Sequence, residues 1–200
     1  MRQESAGVTE ALLKSATNEF LKEGFLKASL RKISADSGVS TNSIYTRFKD
    51  KAGLFDAIVG KCAQGLMDIY LDCIKKASLS DDLSLANQEG GQGTNLVLEY
   101  VYQHLTEFKL IFCCSSGTKY EYFLDQLGEI EEAYYRELVK KYGKEGYRVD
   151  DFFIHVFCRN GWQLVYEVVA HDRTYEEAQS FMNSTILFNI AGWKAVMGID

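Results

Sequence analysis

Not one proline occurs among the 200 residues of this chain. Nothing in it therefore stops or kinks a helix through ring clash and a missing N–H donor. Against that background, apolar residues recur at steps of three and four, while strand-type alternation is rare. The spacing predicts an all-α chain. A hydrophobic content of 46% fits a globular protein with a core of its own, and the length suits one helical domain or a small domain beside a larger one. No apolar run is long enough to span a bilayer, and the opening MRQESAGVTE lacks the apolar segment of a secretory signal. A cytoplasmic location without membrane contact is expected.

Within this helical pattern the stretch Ser29 to Lys51, SLRKISADSGVSTNSIYTRFKDK, stands apart. Ser29 is placed to cap one short helix, whose apolar face is Leu30 and Ile33. Gly38 falls where a helix end needs positive φ, and Val39 plugs the turn. Ser40 is placed to cap a second helix on which Ile44 and Phe48, four apart, share an inner face. The outer face is then Thr41, Asn42, Ser43, Thr46 and Arg47, short and rich in hydrogen-bonding groups. This is the make-up of a helix-turn-helix over residues 29–48, its second helix sized for a DNA major groove. Charge distribution agrees with that role. Residues 27–51 carry a local charge of +4 although the chain totals −6, which leaves −10 on the remainder. A basic island on an acidic body marks a local phosphate-binding surface.

Several spaced residues then match one family at once. The run Ile33-Ser34-Ala35, Gly38-Val39-Ser40, Ile44-Tyr45, Phe48-Lys49, Lys51 and Leu54-Phe55 resembles the DNA-binding region of tetracycline-repressor (TetR) type transcriptional regulators. The resemblance extends back through Ala11-Leu12-Leu13 to Gly24-Phe25. It implies a three-helix DNA-binding domain, here residues 5–65, and a larger helical effector-binding and dimerisation domain, residues 66–200. Tyr45 is implied to contact the DNA backbone. Lys49 and Lys51, after the recognition helix, are expected at phosphates, with Ser29 and Lys32 at a flanking one. Thr41, Asn42, Ser43, Thr46 and Arg47 form the recognition face, with Thr41, Asn42, Ser43 and Arg47 the candidates for base edges, Asn suiting adenine and Arg guanine. The implied partners are double-stranded operator DNA, a small-molecule effector and a second copy of the chain.

The rest of the chain reads as a series of helices. The first spans about Thr9 to Glu23, with Leu13, Ala16, Phe20 and Leu21 inside and Gly24 at its end. Asp50 is placed to cap a long helix to about Ala77 with the stripe Leu54, Ile58, Cys62, Leu66, Ile69 and Cys73. Residues 78–95, with Gly90, Gly91 and Gly93, read as a flexible connection, since neither a preceding strand nor a following GK[ST] supports a phosphate cradle. Helices are expected at Leu96 to Glu107, Lys119 to Tyr142, Asp150 to Ala170 and Tyr175 to Met197. The segment from Asp150 is apolar on nearly every side, and the last carries two stripes: Phe181, Ile186, Ile190, Trp193 and Leu187, Ala191, Ala195. Together they predict a homodimer built as a four-helix bundle, weighed against burial of both faces in one monomeric core.

Catalytic and metal-binding patterns are missing. His104, His155 and His171 are far apart with no HxxxH spacing, and adjacent acids such as Glu131-Glu132 point about 100° apart on a helix. No nucleophile elbow occurs. Five cysteines without CxxC spacing argue against a disulfide framework or structural zinc. Cys113-Cys114 is compatible with a redox or arsenical sensor, though packing is the plainer reading. The expectation is a regulator with no cofactor, not an enzyme, and the alternative is a small-molecule or interaction module with a vestigial helix-turn-helix. Tyr70, Tyr102, Phe108, Phe112, Tyr120, Tyr122, Phe152, His155 and Trp162 are the candidates around an effector. An aromatic, acidic cavity suits a planar or cationic hydrophobic ligand.

Overall fold

A computed structural model of the chain describes residues 6–199. Every regular element among the described residues is α-helical: α1 (Ala6–Lys27), α2 (Leu30–Ser37), α3 (Thr41–Phe48), α4 (Lys51–Ser78), α5 (Leu83–Gln103), α6 (Leu105–Cys113), α7 (Phe123–Tyr142), α8 (Asp151–Ala170) and α9 (Tyr175–Met197). None is long and apolar enough to cross a membrane. Two compact units result. One holds the chain up to Gln64 together with Leu105–Glu121; the other holds Gly65–His104 and the chain from Tyr122 onward. The start of the expected DNA-binding domain at Ser5 and the end of the second domain at Asp200 lie outside the described residues.

The first unit is assembled from short helices whose ends are set by their own caps. The Ser29 hydroxyl accepts from Lys32 N, and the Ser40 hydroxyl from Ser43 N at 3.2 Å. Gly38 ends α2 in the left-handed conformation, φ 69° and ψ 9°. Leu12, Ala16, Phe20, Ile33, Ile44, Leu54, Phe55 and Val59 form the core. Phe55 meets Phe20 and Phe25 edge-to-face, at centroid distances of 5.1 and 5.6 Å. On α1 the inner residue is Leu12 rather than Leu13, and Leu21 is exposed. Gly24, at φ 71° and ψ 162°, is non-helical and ends the regular run as expected, and a short helical turn beyond this kink reaches Lys27. Segment 105–121 joins this unit through Phe25 N, which donates to Cys114 O at 2.9 Å, and through buried Phe108, Leu110 and Ile111.

The second unit packs α7 against α8 and α5 against α9. The connection expected over residues 78–95 is instead mostly helix: only a short turn precedes α5, where the Asp82 carboxylate accepts from Ser84 N at 2.7 Å. Of the three glycines, Gly93 is there for helix contact, while a β-carbon at Gly90 would meet open space. A β-carbon at Gly93 would stand 3.0 Å from Cys73 Cβ, so α4 and α5 approach each other because residue 93 has no side chain. A break at His104 divides the expected fifth helix into α5 and α6, and α7 begins at Phe123 rather than Lys119. Thr174 and Glu177 complete a capping box at the start of α9. Ile154, Cys158, Trp193, Met197 and Leu138 make one apolar cluster between α7, α8 and α9.

Candidate functional site

The α2–turn–α3 motif of the first unit presents a polar surface on a buried base. Ile33 and Ile44 have no exposed area, and Val39 is buried in the turn. Asn42, Tyr45 and Thr46 of α3 are exposed, Tyr45 by 53%, whereas Thr41, Ser43 and Arg47 are half-buried. Thr46 donates to Asn42 O at 2.9 Å, and the Ser43 and Ser40 hydroxyls lie 3.0 Å apart. Arg47 donates to the Thr9 hydroxyl at 3.1 Å, so its guanidinium rests beside the start of α1. Lys49 follows at the helix end with φ 69°, its N–H on Tyr45 O and its side chain exposed.

Two of the expected phosphate contacts have structural partners. Lys32 pairs with Glu19 at 2.8 Å, and the same buried carboxylate accepts from Ser29 N at 3.1 Å. The Lys32 hydrogen bond, assisted by Ser29, holds the Glu19 carboxyl below its usual range despite burial. Lys51 donates to Leu26 O at 3.1 Å and Ala28 O at 3.2 Å, over the Phe25 ring at 4.7 Å. Burial lowers its pKa. Lys51 thus holds the α1–α2 turn on the first turn of α4, and Glu19 orients α2. Glu19 was not singled out by sequence reasoning. Its only signal is an acid set between Ala16 and Phe20, on the inner side of an amphipathic helix.

At the other side of the motif, the Asp50 carboxylate accepts from Gly53 N at 2.7 Å. A β-carbon at Gly53 would collide with the Phe48 carbonyl oxygen, a backbone atom that cannot turn aside. Glycine is therefore needed where α3 hands over to α4. Asp56 on α4 binds Lys119 at 2.7 Å and also accepts from the Tyr120 hydroxyl, and these two keep its carboxyl low.

With this geometry, the comparisons with known proteins fall into place. Residues 12–58 match the family model for bacterial regulatory proteins, tetR family. The stretch from α1 into α4 that holds the helix-turn-helix is thus similar to the DNA-binding region of that family. Over 74 residues the chain is 35% identical to the HTH-type transcriptional repressor BepR of Brucella suis biovar 1 (strain 1330), a match spanning 37% of this chain and 35% of that protein. The chain thus covers about a third of that relative's length, 35%. A TetR-family regulator structure from Syntrophomonas wolfei str. Goettingen superposes with a TM-score of 0.63 at 16% identity, covering 92% of this chain and 95% of that one. PfmR of Thermus thermophilus, a TetR-family transcriptional regulator, gives 0.58 at 17% identity over 86% and 94%. These two share the fold across nearly the whole chain.

The second unit contains a cavity of about 150 Å³ walled by α4, α5, α7, α8 and α9. Of the residues expected around an effector, Tyr70 and Trp162 line it. The others lie elsewhere. The Tyr102 hydroxyl donates to Arg173 O at 2.9 Å, Tyr122 and Phe152 are exposed, and His155 pairs with Glu132 at 3.0 Å. Phe108, Phe112 and Tyr120 belong to the first unit, where Phe108 is fully buried. The lining also includes Glu131, Tyr134, Tyr135 and Trp193, which sequence reasoning left out because the adjacent pair Glu131-Glu132 gave no sign of which acid turns inward. Glu132 is the structural one, buried under Arg136, His155 and Arg159. The cysteines are free; Cys113 is exposed, while Cys62 and Cys158 are buried as expected.

Proposed function

We propose that this protein is a TetR-type DNA-binding transcriptional regulator, a ligand-responsive repressor that binds a palindromic operator as a homodimer. The observation that carries the reading is the exposed α3 face on a fully buried base: Asn42, Tyr45 and Thr46 stand outward, with Lys49 beside them. A helix of this kind reads base edges in the major groove, while the flanking cation fixes register on the phosphates. Asn42, Thr46 and Arg47, with Thr41 and Ser43 at the helix start, are assigned to bases, Arg47 on leaving Thr9. Tyr45 and Lys49 are assigned to the backbone. Ser29, Lys32 and Lys51 are assigned mainly to holding the motif in shape.

Dimerisation is supported by an apolar surface on α8 and α9. Phe152, Leu187 and Phe188 are 71%, 71% and 69% exposed, and Val156, Phe157 and Phe181 extend the same exposure. Aromatic and aliphatic side chains in this number mark an association surface. A second copy gives each α8–α9 pair the partner that completes a four-helix bundle. In the operator complex two α3 helices then enter successive major grooves, roughly 35 Å apart.

α4 runs from Lys51, shortly after the motif, to Ser78, and Tyr70, Cys73, Ile74 and Ala77 of its later turns line the cavity. A ligand there acts on the same helix that follows α3. By reciprocity, operator DNA weakens the ligand by the factor through which the ligand weakens DNA. The test is fluorescence anisotropy with duplexes from upstream of the chain's own gene and with scrambled controls, across a salt series. Preference for one upstream duplex is expected. No preference at physiological ionic strength refutes the regulator and leaves a small-molecule module. Equal ligand affinity with and without operator refutes the induction step alone.

A further inference from the structure

The cavity of the second unit carries one acid and no base. Glu131 on α7 lies over Gly161 on α8, its carboxyl oxygens 3.6 and 3.7 Å from where a β-carbon at residue 161 would stand. The Tyr70 hydroxyl and the Trp162 indole N–H flank this carboxyl. Both atoms are buried, and the Glu131 carboxyl is the acid beside them. Buried polar groups are ordinarily paired, and the acceptor these two donors face is the Glu131 carboxyl, so acid and donors form one polar cluster in an otherwise apolar, aromatic cavity. The walls are aromatic: Tyr70 and Trp162 meet edge-to-face at 4.8 Å, and Tyr135 stacks on Trp193 at 4.2 Å. Among the described lining residues there is no lysine, arginine or histidine.

We propose that this cavity binds a small hydrophobic organic cation, an aryl-alkyl ammonium of one ring, with Glu131 as its counter-ion. The proposal rests on reading the second unit as the effector-binding body and names the chemistry of that effector. A volume of about 150 Å³ takes a body of one ring. An ammonium supplies the charge that the lining lacks, and the aromatic faces attract it. Glu131 then ionises, and its remaining lone pairs accept from Tyr70 and Trp162, so every polar group is paired. An anionic ligand would satisfy the two donors but would stand against the acid, and a neutral one would leave the carboxyl uncharged. Burial supports this arrangement, pushing the Glu131 carboxyl up to about 8 without a countering cation. Facing it are Tyr70 and Cys73 of α4, Tyr134 and Tyr135 of α7, and Cys158 of α8; the lining residues from α5 and α9 do not ionise. Burial raises all five facing groups above their ordinary values, so Glu131 alone titrates near neutrality.

The experiment is calorimetric titration of the full chain, without DNA, with three probes of one shape: 2-phenylethylamine, 2-phenylethanol and phenylacetate. The amine is expected to bind at least tenfold more tightly than the alcohol, and phenylacetate most weakly. Amine binding at pH 7 should release a proton, seen as a heat that depends on the buffer. Its affinity should rise more than tenfold between pH 6 and pH 8 as the acid becomes free to ionise. Glu131→Gln, which keeps the shape, should abolish both the preference and the pH dependence. Equal binding of the three probes, tighter binding of phenylacetate, or no binding at millimolar concentration overturns the proposal. Should Glu131→Gln fail to fold, the ranking on the natural chain decides by itself. A chain that binds the amine but no duplex refutes the regulator and leaves this inference standing; one that binds its operator but ranks the probes otherwise does the reverse.

Discussion

The two units of this chain solve opposite problems with the same element. The first must hold two eight-residue helices, α2 and α3, in one fixed relation, and it does so through local devices. These are a serine at each helix start, Gly38 at positive φ, Glu19 on Ser29 and Lys32, and Lys51 on the carbonyls of Leu26 and Ala28. Helices this short are unstable alone, so caps and tertiary hydrogen bonds must set their geometry. The second unit uses helices of 20 residues and more, leaves a cavity between them, and keeps an acid there at a cost in stability. On the proposed function, rigidity belongs to the part assigned to DNA, and the cavity to the part assigned to a ligand.

The largest effect is expected where a single atom sharpens this contrast. Gly53→Ala places a methyl group on the Phe48 carbonyl, so either α3 or the first turn of α4 must move. Strain against backbone in a well-packed site costs on the order of 2–4 kcal/mol. Operator affinity should fall below detection and the first unit should melt earlier, while ligand binding by the second unit persists. Equal loss of both activities would mean that the units are not separable in stability. Next comes the paired change Leu187→Glu with Phe188→Glu, on the exposed face of α9. Light scattering should show monomers at micromolar concentration, with the helical content unchanged; a persistent dimer would place the interface elsewhere.

How far each unit could be read from the sequence follows the same contrast. Around α2 and α3 the determinants lie within a few residues of what they control. Ser29, Gly38, Ser40 and Asp50 are where the structure uses them. In the second unit they are separated by tens of residues. Gly93 packs on Cys73, and Glu131 lies over Gly161. The glycines of α5 look like a loop in the sequence, and only the fold brings Cys73 against Gly93. The cavity acid could not be chosen over its neighbour, because helical phase between α7 and α8 decides that Glu132 meets Arg136 and Arg159 while Glu131 turns inward. The aromatic residues expected at an effector were selected by type, and type does not distinguish a cavity wall from an exposed face such as Phe152.

A smaller effect tests the cost of the cavity acid. In the unfolded chain Glu131 ionises near its ordinary value of 4.5, whereas in the fold it keeps its proton to about 8. Between these values the unfolded state has released a proton that the folded state retains, so rising pH favours unfolding. The sign is opposite to that of Glu19, whose lowered pKa adds stability above the ordinary carboxyl range and loses it in acid. Denaturant unfolding of the natural chain should therefore weaken from pH 5 to pH 8 relative to Glu131→Gln, by on the order of a few kcal/mol. Parallel pH profiles for the two proteins would show that the carboxyl ionises in the fold without penalty.

The smallest effect comes from Lys49, and it reports on both units at once. Lys49 sits at φ 69°, where alanine is no more strained than lysine, so Lys49→Ala leaves the fold as it is and removes one exposed charge beside α3. A phosphate contact contributes about 0.9 to the slope of log affinity against log salt. A monomer on DNA therefore loses about one from that slope, and a dimer with both α3 helices engaged loses about two. Affinity should fall alike for the operator and for unrelated duplexes, because a phosphate carries no sequence information. A slope lowered by two locates Lys49 on the backbone and counts two motifs per operator. A slope lowered by one keeps the contact but removes the dimer from the complex, and an unchanged slope removes Lys49 from the interface.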